Sequence, residues 1–321
     1  MVTRSNQHQP FSWGNWLRSL WAFSRPHTIV GTTLSVGALG VMAWVLTTDI
    51  ETAGLPGALV AALVPSLCAN VYIVGLNQLT DIAIDRINKP HLPLASGAFS
   101  VAMGRRIVTV LGCLAMGLAA LQGPMLLATV GLSMAIGTVY SLPPLRLKRF
   151  PFWAALCIFG VRGVVVNLGF FAHFRQWLNP GVTPWWWVPA EVWALTAFIV
   201  LFAFAIAIFK DIPDLEGDRQ FQIRTLTVRL GPRFVFQLSL WVLTLCYGLL
   251  MGLTLLGLLP AVEPAFLLTT HGGLLAVMWW LSRQVNLQEK AQISRFYQFI
   301  WRLFFLEYLL FPMACVIAKL A

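Results

Sequence analysis

The stretch Asn77-Gln-Leu-Thr-Asp81-Ile-Ala-Ile-Asp85-Arg-Ile-Asn-Lys-Pro90 closes a long apolar run, and the rest of the chain is read from it. Asn77, Asp81 and Asp85 recur every four residues, so a continuous helix places their three oxygen-bearing side chains on one face. Carboxylates at the end of an apolar run are costly unless something uses them. A second acidic set lies far downstream, Asp211-Ile-Pro-Asp214-Leu-Glu-Gly-Asp218. Together the two segments hold six of the twelve acidic residues, so function is sought there.

The 321 residues are 58% hydrophobic and 11% charged, with a mean hydropathy of +0.76. That composition excludes a soluble domain and predicts an all-α integral membrane protein with several spans. The net charge of +10 does not indicate nucleic acid, because the basic residues are scattered through short loops rather than gathered in a patch. Cys68, Cys113, Cys157, Cys246 and Cys315 all fall in apolar runs without paired spacing, so they read as packing residues. No cleavable signal or transit peptide is expected at the N-terminus, since its first apolar run is broken by polar residues.

Trp13, Trp16, Leu17, Leu20 and Trp21 are spaced as on a helix with Arg18 opposite. This marks residues 1–25 as an N-terminal segment with an amphipathic helix in the membrane interface, or else the frayed start of the first span. Residues 26–321 form the membrane domain. Nine apolar spans are expected, at about 28–48, 56–79, 105–122, 124–142, 152–174, 188–209, 234–257, 264–282 and 298–318. With the N-terminus in the cytoplasm, every basic residue except Arg162, Arg175 and Lys319 falls on the inner side of these spans. So lopsided a split supports the span count and an N-inside, C-outside topology. The run Trp185-Trp186-Trp187 then belongs to the outer aromatic belt. Both acidic segments fall on the cytoplasmic side, each at the end of an even-numbered span.

Asp211, Asp214 and Asp218 are spaced i, i+3 and i+7, and Pro213 is expected to end or kink the sixth span. Carboxylates crowded at helix C-termini need cations. Hard oxygen ligands select magnesium or calcium, and magnesium usually shares its shell with substrate phosphates. Arg86, Lys89, Arg146, Lys148, Arg219 and Arg224 come from the same face and suit phosphate oxygens. A metal-held diphosphate at the membrane boundary implies a lipid tail in the helical bundle below. Loss of diphosphate leaves an allylic cation for an electron-rich acceptor. A cation-coupled transporter is the rival from another class, but the acidic clusters sit at one face, not the midplane, and no discontinuous helix pair is visible.

The pattern Asn77-x-x-x-Asp81-x-x-x-Asp85 with Asp214-x-x-x-Asp218 resembles the paired motifs of the intramembrane UbiA-type aromatic prenyltransferases. Gly-Leu-Asn77-Gln-Leu-x-Asp81, Asn88-Lys-Pro-x-Leu-Pro-Leu-Ala-Ser-Gly97 and Lys210-Asp-Ile-Pro-Asp-x-Glu-Gly-Asp218 resemble the homogentisate prenyltransferase branch. So do Arg25-Pro-His-Thr-Ile-Val-Gly31 and Tyr140-Ser-Leu-Pro-Pro-x-Arg-x-Lys148. The resemblance runs from about residue 20 to the end of the chain. It implies nine helices around a central cavity open to the cytoplasm, with magnesium-bridged diphosphate at the mouth. Asn77, Asp81 and Asp85 would hold one Mg2+, and Asp214 and Asp218 the other; Asp211, in the branch's phrase but outside the general pattern, is a further candidate ligand. Arg86, Lys148 and Arg224 match basic positions near diphosphate, and Tyr140 confines the cation. The branch joins phytyl diphosphate to homogentisate with loss of carbon dioxide and diphosphate, giving 2-methyl-6-phytylbenzoquinol for tocopherol synthesis. Solanesyl or another polyprenyl donor, or another aromatic acceptor, is the alternative.

Two charges lie deep inside spans, Arg162 in the fifth and Glu307 in the ninth. Each lies about nine or ten residues from the cytoplasmic end, roughly 14–15 Å deep. Equal depth favours a mutual ion pair; the alternative is that Arg162, with Asn167 about one turn away, receives the carboxylate of homogentisate. His27, with Arg25 beside it, either orients the acceptor or accepts a proton, or is an ordinary interfacial histidine. His271 is expected to pack or hydrogen-bond within the bundle.

Overall fold

The computed structural model describes residues 12–47, 54–181, 187–215, 219 and 225–321. Among them there is helix and no strand. In chain order the helices are α1 (Trp13–Phe23), α2 (Pro26–Thr47), α3 (Leu55–Thr80), α4 (Ile82–Asn88), α5 (Pro93–Ser96), α6 (Val101–Leu121) and α7 (Pro124–Ser141). They continue with α8 (Pro151–Phe159), which passes through a π-helical segment (Gly160–Val165) into α9 (Val166–Leu178). Then come α10 (Ala190–Phe209), α11 (Leu226–Leu230), α12 (Pro232–Leu255), α13 (Pro264–Ser282) and α14 (Lys290–Leu320). Nine of these segments are long and apolar enough to cross a membrane, with α8, the π-helix and α9 counting as one, in agreement with the expected spans. Trp185 and Trp186 lie outside the described residues, and Trp187 is half exposed.

Helices α2, α3, α7, α9, α10 and α14 form a closed ring, and the contact of α14 with α2 joins the last span to the first. The remaining spans stand outside it: α6 against α3 and α7, α12 against α10, and α13 against α12 and α14. Helix α10 is apolar all round and the most buried of the spans, which makes it the core helix. Its Phe202 ring lies 5.7 Å from Phe304 of α14, and its Phe198 ring 5.3 Å from Tyr247 of α12. On the outer spans, large apolar side chains such as Leu114 and Trp241 point outward. In water that would be an interaction patch; in lipid it is the ordinary solvent-facing surface.

Helix α1 is separate from α2 rather than its frayed start. Ser24 and Arg25 divide them, with Arg25 at φ 53°. Gln78 of α3 donates to the Phe23 carbonyl at 2.8 Å, and Asn70 donates to Thr28 Oγ1 at 3.0 Å. These bonds satisfy backbone and hydroxyl groups at the junction and hold the start of α2 against α3. Trp16, Leu20 and Phe23 pack inward near Phe99, while Trp13, Leu17 and Trp21 form an exposed stripe.

Candidate functional site

The first acidic segment is not one continuous helix. Helix α3 ends at Thr80, Asp81 adopts φ −118° and ψ 16°, and α4 restarts at Ile82. The expectation that Asn77, Asp81 and Asp85 share one helical face is corrected accordingly. The reason is tertiary: the loop after α7 reaches into the break. Arg146 Nη2 donates to Asp81 Oδ1 at 3.0 Å and to the Thr80 carbonyl at 3.2 Å. Lys148 Nζ donates to Asp81 Oδ2 at 2.7 Å and to Thr80 Oγ1 at 2.9 Å. Arg146 is itself in the left-handed region, at φ 38°, a conformation that costs a non-glycine residue and tends to occur where function fixes it.

Asp85, one turn into α4, is 6% exposed, and its Oδ2 has no hydrogen-bond partner. Burial pushes its carboxyl above the usual carboxylate range, against the opposite pull of Arg25 and Lys89. Burial also lowers the Lys148 ammonium from its ordinary value, and the bond to Asp81 opposes that shift.

The second segment begins where α10 ends, at Phe209, four residues before Pro213, and Lys210–Asp214 continue as a turn. Asp214 is exposed and Asp211 half-buried. Lys89 lies in electrostatic range of Arg25, Asp85, Asp214 and Lys210, and Lys210 in range of Asp211, Asp214 and Tyr140. The two segments, more than a hundred residues apart, therefore share cations. Arg86 and Arg219 are exposed on this face. Asp218, Glu216 and Arg224 lie outside the described residues.

Within the ring is a cavity of about 350 Å³. Arg25, His27, Asn77, Tyr140 and Lys210 line it near the helix ends that carry the acidic segments; Ser66, Thr129 and Phe170 line its far end. Arg162 projects into it from the π-helix. Gly163, the next residue, presses against α10, where an added Cβ would lie 3.2 Å from the Val200 backbone. Asn167 is fully buried and accepts from the Tyr308 hydroxyl at 2.9 Å, so it supports the wall through Tyr308.

The expected Arg162–Glu307 pair does not form. Glu307 faces α13 instead, where His271 Nε2 lies 3.2 Å from its Oε2, with both side chains fully buried. Equal depth along two helices does not fix the direction in which a side chain points, and Glu307 and Arg162 leave their helices on different sides. His271 is bonded within the bundle, as expected, with Thr270 at its other nitrogen.

Sequence reasoning missed the aromatic wall of α14. Tyr297, Trp301, Phe304 and Tyr308 line the cavity at spacings of four, three and four residues. That periodicity was available as a signal, but in an apolar span it is indistinguishable from core packing.

Among the described residues, no three His, Cys, Asp or Glu side chains converge on one point. The arrangement nevertheless fits a hard divalent cation. Asp85 offers a buried, unpartnered oxygen, and Asn77 offers an amide oxygen on the same side of the cavity. Asp81, with both oxygens engaged, reaches a cation only by sharing with or releasing Arg146 and Lys148.

The family model described as the UbiA prenyltransferase family matches residues 28–303. A homogentisate phytyltransferase of Synechocystis sp. is 52% identical over 303 residues, covering 93% of this chain and 96% of that protein. The chloroplastic homogentisate solanesyltransferase of Arabidopsis thaliana is 40% identical over 301 residues, covering 91% and 75% respectively. A solved UbiA homologue from Archaeoglobus fulgidus, bound to GPP and Mg2+, has a TM-score of 0.61 at 18% identity, covering 92% of this chain and 99% of its own.

Proposed function

Because the chain belongs to the UbiA prenyltransferase family and is a multi-pass integral membrane protein, we propose that it transfers a phytyl group from phytyl diphosphate to homogentisate. The observation that carries this reading is the meeting of Asp81 and Asp85 with Arg146, Lys148 and Lys89 near one end of a cavity among apolar helices. The 52% identity to a homogentisate phytyltransferase supports the choice of acceptor and donor.

Asn77, Asp81 and Asp85 would hold one Mg2+, and Asp211, Asp214 and Asp218 the second. The chemistry that bound magnesium supplies is charge neutralisation of the departing diphosphate. Lys89, Arg146, Lys148, Arg86 and Arg224 take the remaining diphosphate oxygens. The allylic carbon–oxygen bond breaks and diphosphate keeps the electron pair. The ring walls of the cavity, Tyr140 among them, exclude water that would quench the allylic cation. A ring carbon of homogentisate supplies the electron pair for the new bond, its proton is lost, and the carboxyl group leaves as carbon dioxide with a proton taking its place. The product is 2-methyl-6-phytylbenzoquinol.

The loop charges support a cytoplasmic N-terminus and site. The exposed Trp13, Leu17 and Trp21 stripe supports a position for α1 in the membrane interface. A longer polyprenyl donor is the second reading, favoured by the solanesyltransferase relative. The test is incubation of membranes carrying the protein with radiolabelled homogentisate and either phytyl or solanesyl diphosphate, with magnesium or with chelator. Phytylated, magnesium-dependent product is expected. Product formed equally well in chelator, or no product from either donor, would overturn the reading.

A further inference from the structure

The geometry points to Arg162 as the anchor for the acceptor's carboxylate, an inference that rests on the proposed aromatic prenyl transfer and adds where and how the acceptor is held. The guanidinium lies in the cavity with its carbon 5.3 Å over the Trp301 ring and 5.9 Å from the Phe304 ring centre. Its Nη1 would be 3.3 Å from a Cβ added at Gly31. Gly31 is five residues into α2, so the charge sits roughly 7–8 Å below the start of that helix. His27, one turn nearer the mouth, packs its ring 5.4 Å from Trp301. Arg162 thus reaches back toward the mouth, to the level just beneath the diphosphate cluster.

No acidic side chain among the described residues pairs with this cation, and Glu307 is taken by His271. Two aromatic faces orient a guanidinium but leave most of its five N–H donors unsatisfied. A cation held in a membrane-embedded cavity is kept for an anion that arrives. The donor does not bring one to this depth, because its diphosphate is held at the mouth and the rest of it is hydrocarbon. An aromatic acceptor with a carboxylate arm does. The planar fork matches a carboxylate with two parallel hydrogen bonds, which fixes both the position and the rotation of the ring attached to it. Trp301 and His27 then flank the ring between the carboxylate anchor and the departing diphosphate.

The π-helix is the local device for this placement. Such segments insert an extra residue into a helical turn, occur often at functional sites, and re-aim the side chain they carry. Gly163 lets the widened turn approach α10, so Arg162 is presented to the cavity while its helix stays packed.

The test compares homogentisate with its neutral analogue 2,5-dihydroxyphenylacetamide at saturating phytyl diphosphate, for the wild type, Arg162→Met and Arg162→Lys. The wild type is expected to prefer homogentisate by about 10-fold or more in kcat/KM. Arg162→Met should raise KM for homogentisate by a similar factor, leave KM for phytyl diphosphate within about two-fold, and abolish the preference over the amide. Arg162→Lys should recover part of the preference. Should Arg162→Met not accumulate, the lysine variant and the wild-type preference decide between the same outcomes. Equal handling of acid and amide by the wild type, or a loss in Arg162→Met that is the same for both acceptors, overturns the assignment while leaving prenyl transfer standing. A wild type that alkylates neither acceptor overturns the reading on which the assignment rests.

Discussion

Lys148 donates to Asp81 at 2.7 Å from a loop 67 residues further along the chain, and with Arg146 it fills the break between α3 and α4. Neither partner alone explains the break. A helix interrupted at one residue leaves unsatisfied backbone groups, and Arg146 bonds one of them, the Thr80 carbonyl. The carboxylate proposed to hold metal and the cations proposed to hold diphosphate are therefore one hydrogen-bonded unit, and a change on either side should be felt on the other.

From this follows the first expectation. Lys148→Met should raise KM for the prenyl diphosphate and also the magnesium concentration needed for half-activity, because Asp81 loses one of the two donors that orient it. Groups that orient metal ligands typically account for about 10–100-fold in metal affinity or activity. Steady-state titration of donor and of magnesium separately checks it; a change in donor KM alone would contradict the coupling.

Asp85→Asn should cost more than that range, since it removes a charge from a proposed direct ligand while keeping the volume. The pH dependence has a definite sign. Burial raises the Asp85 carboxyl, so it stays protonated to a higher pH than an ordinary carboxylate, and cation binding must displace that proton. Magnesium activation of the wild type should weaken as pH falls through this raised value, and the residual activity of Asp85→Asn should lack that step. Protein level and insertion, read by immunoblot of membranes, should match the wild type.

Gly163→Ala tests the seat of the π-helix. The new methyl meets the Val200 backbone at 3.2 Å, and backbone yields less readily than a side chain. Overpacking of this kind costs about 1–3 kcal/mol. A lower melting temperature in detergent, with acceptor KM affected more than donor KM, is the expected result.

His271 and Glu307 should behave as a structural pair. His271→Leu leaves the Glu307 carboxyl buried without a partner, with a loss of about 1–2 kcal/mol, the scale of polar contacts between membrane helices. The double replacement His271→Leu with Glu307→Leu should be nearer the wild type in thermal stability than either single change. Exchanging Arg162 and Glu307, by contrast, should bring no rescue.

Much of this molecule was legible in its amino-acid order. Nine apolar runs specify nine spans because a membrane leaves a helical chain little alternative: every backbone group must bond within its own helix. The acidic pattern at Asn77, Asp81 and Asp85 and at Asp211 and Asp214 singled out the end of the bundle proposed as functional, because charge in an apolar chain is rare enough to carry information. Lys89, Arg146 and Lys148 were legible for the same reason.

What only the tertiary structure decided is direction and partnership. Periodicity predicted one helical face through Asp81, but two cations from a distant loop and an irregular turn gave Asp81 and the Thr80 carbonyl better partners than a continued helix would. Depth suggested that Arg162 meets Glu307, yet depth is one coordinate of three. The side of the helix from which each side chain leaves sent Glu307 to His271 and Arg162 into the cavity. The ring of six helices, closed by α14 against α2, turned an aromatic stripe that reads as core into the wall of a cavity. Composition and spacing fix which groups must be accounted for; only the packing of helices far apart in the chain determines what each of them faces.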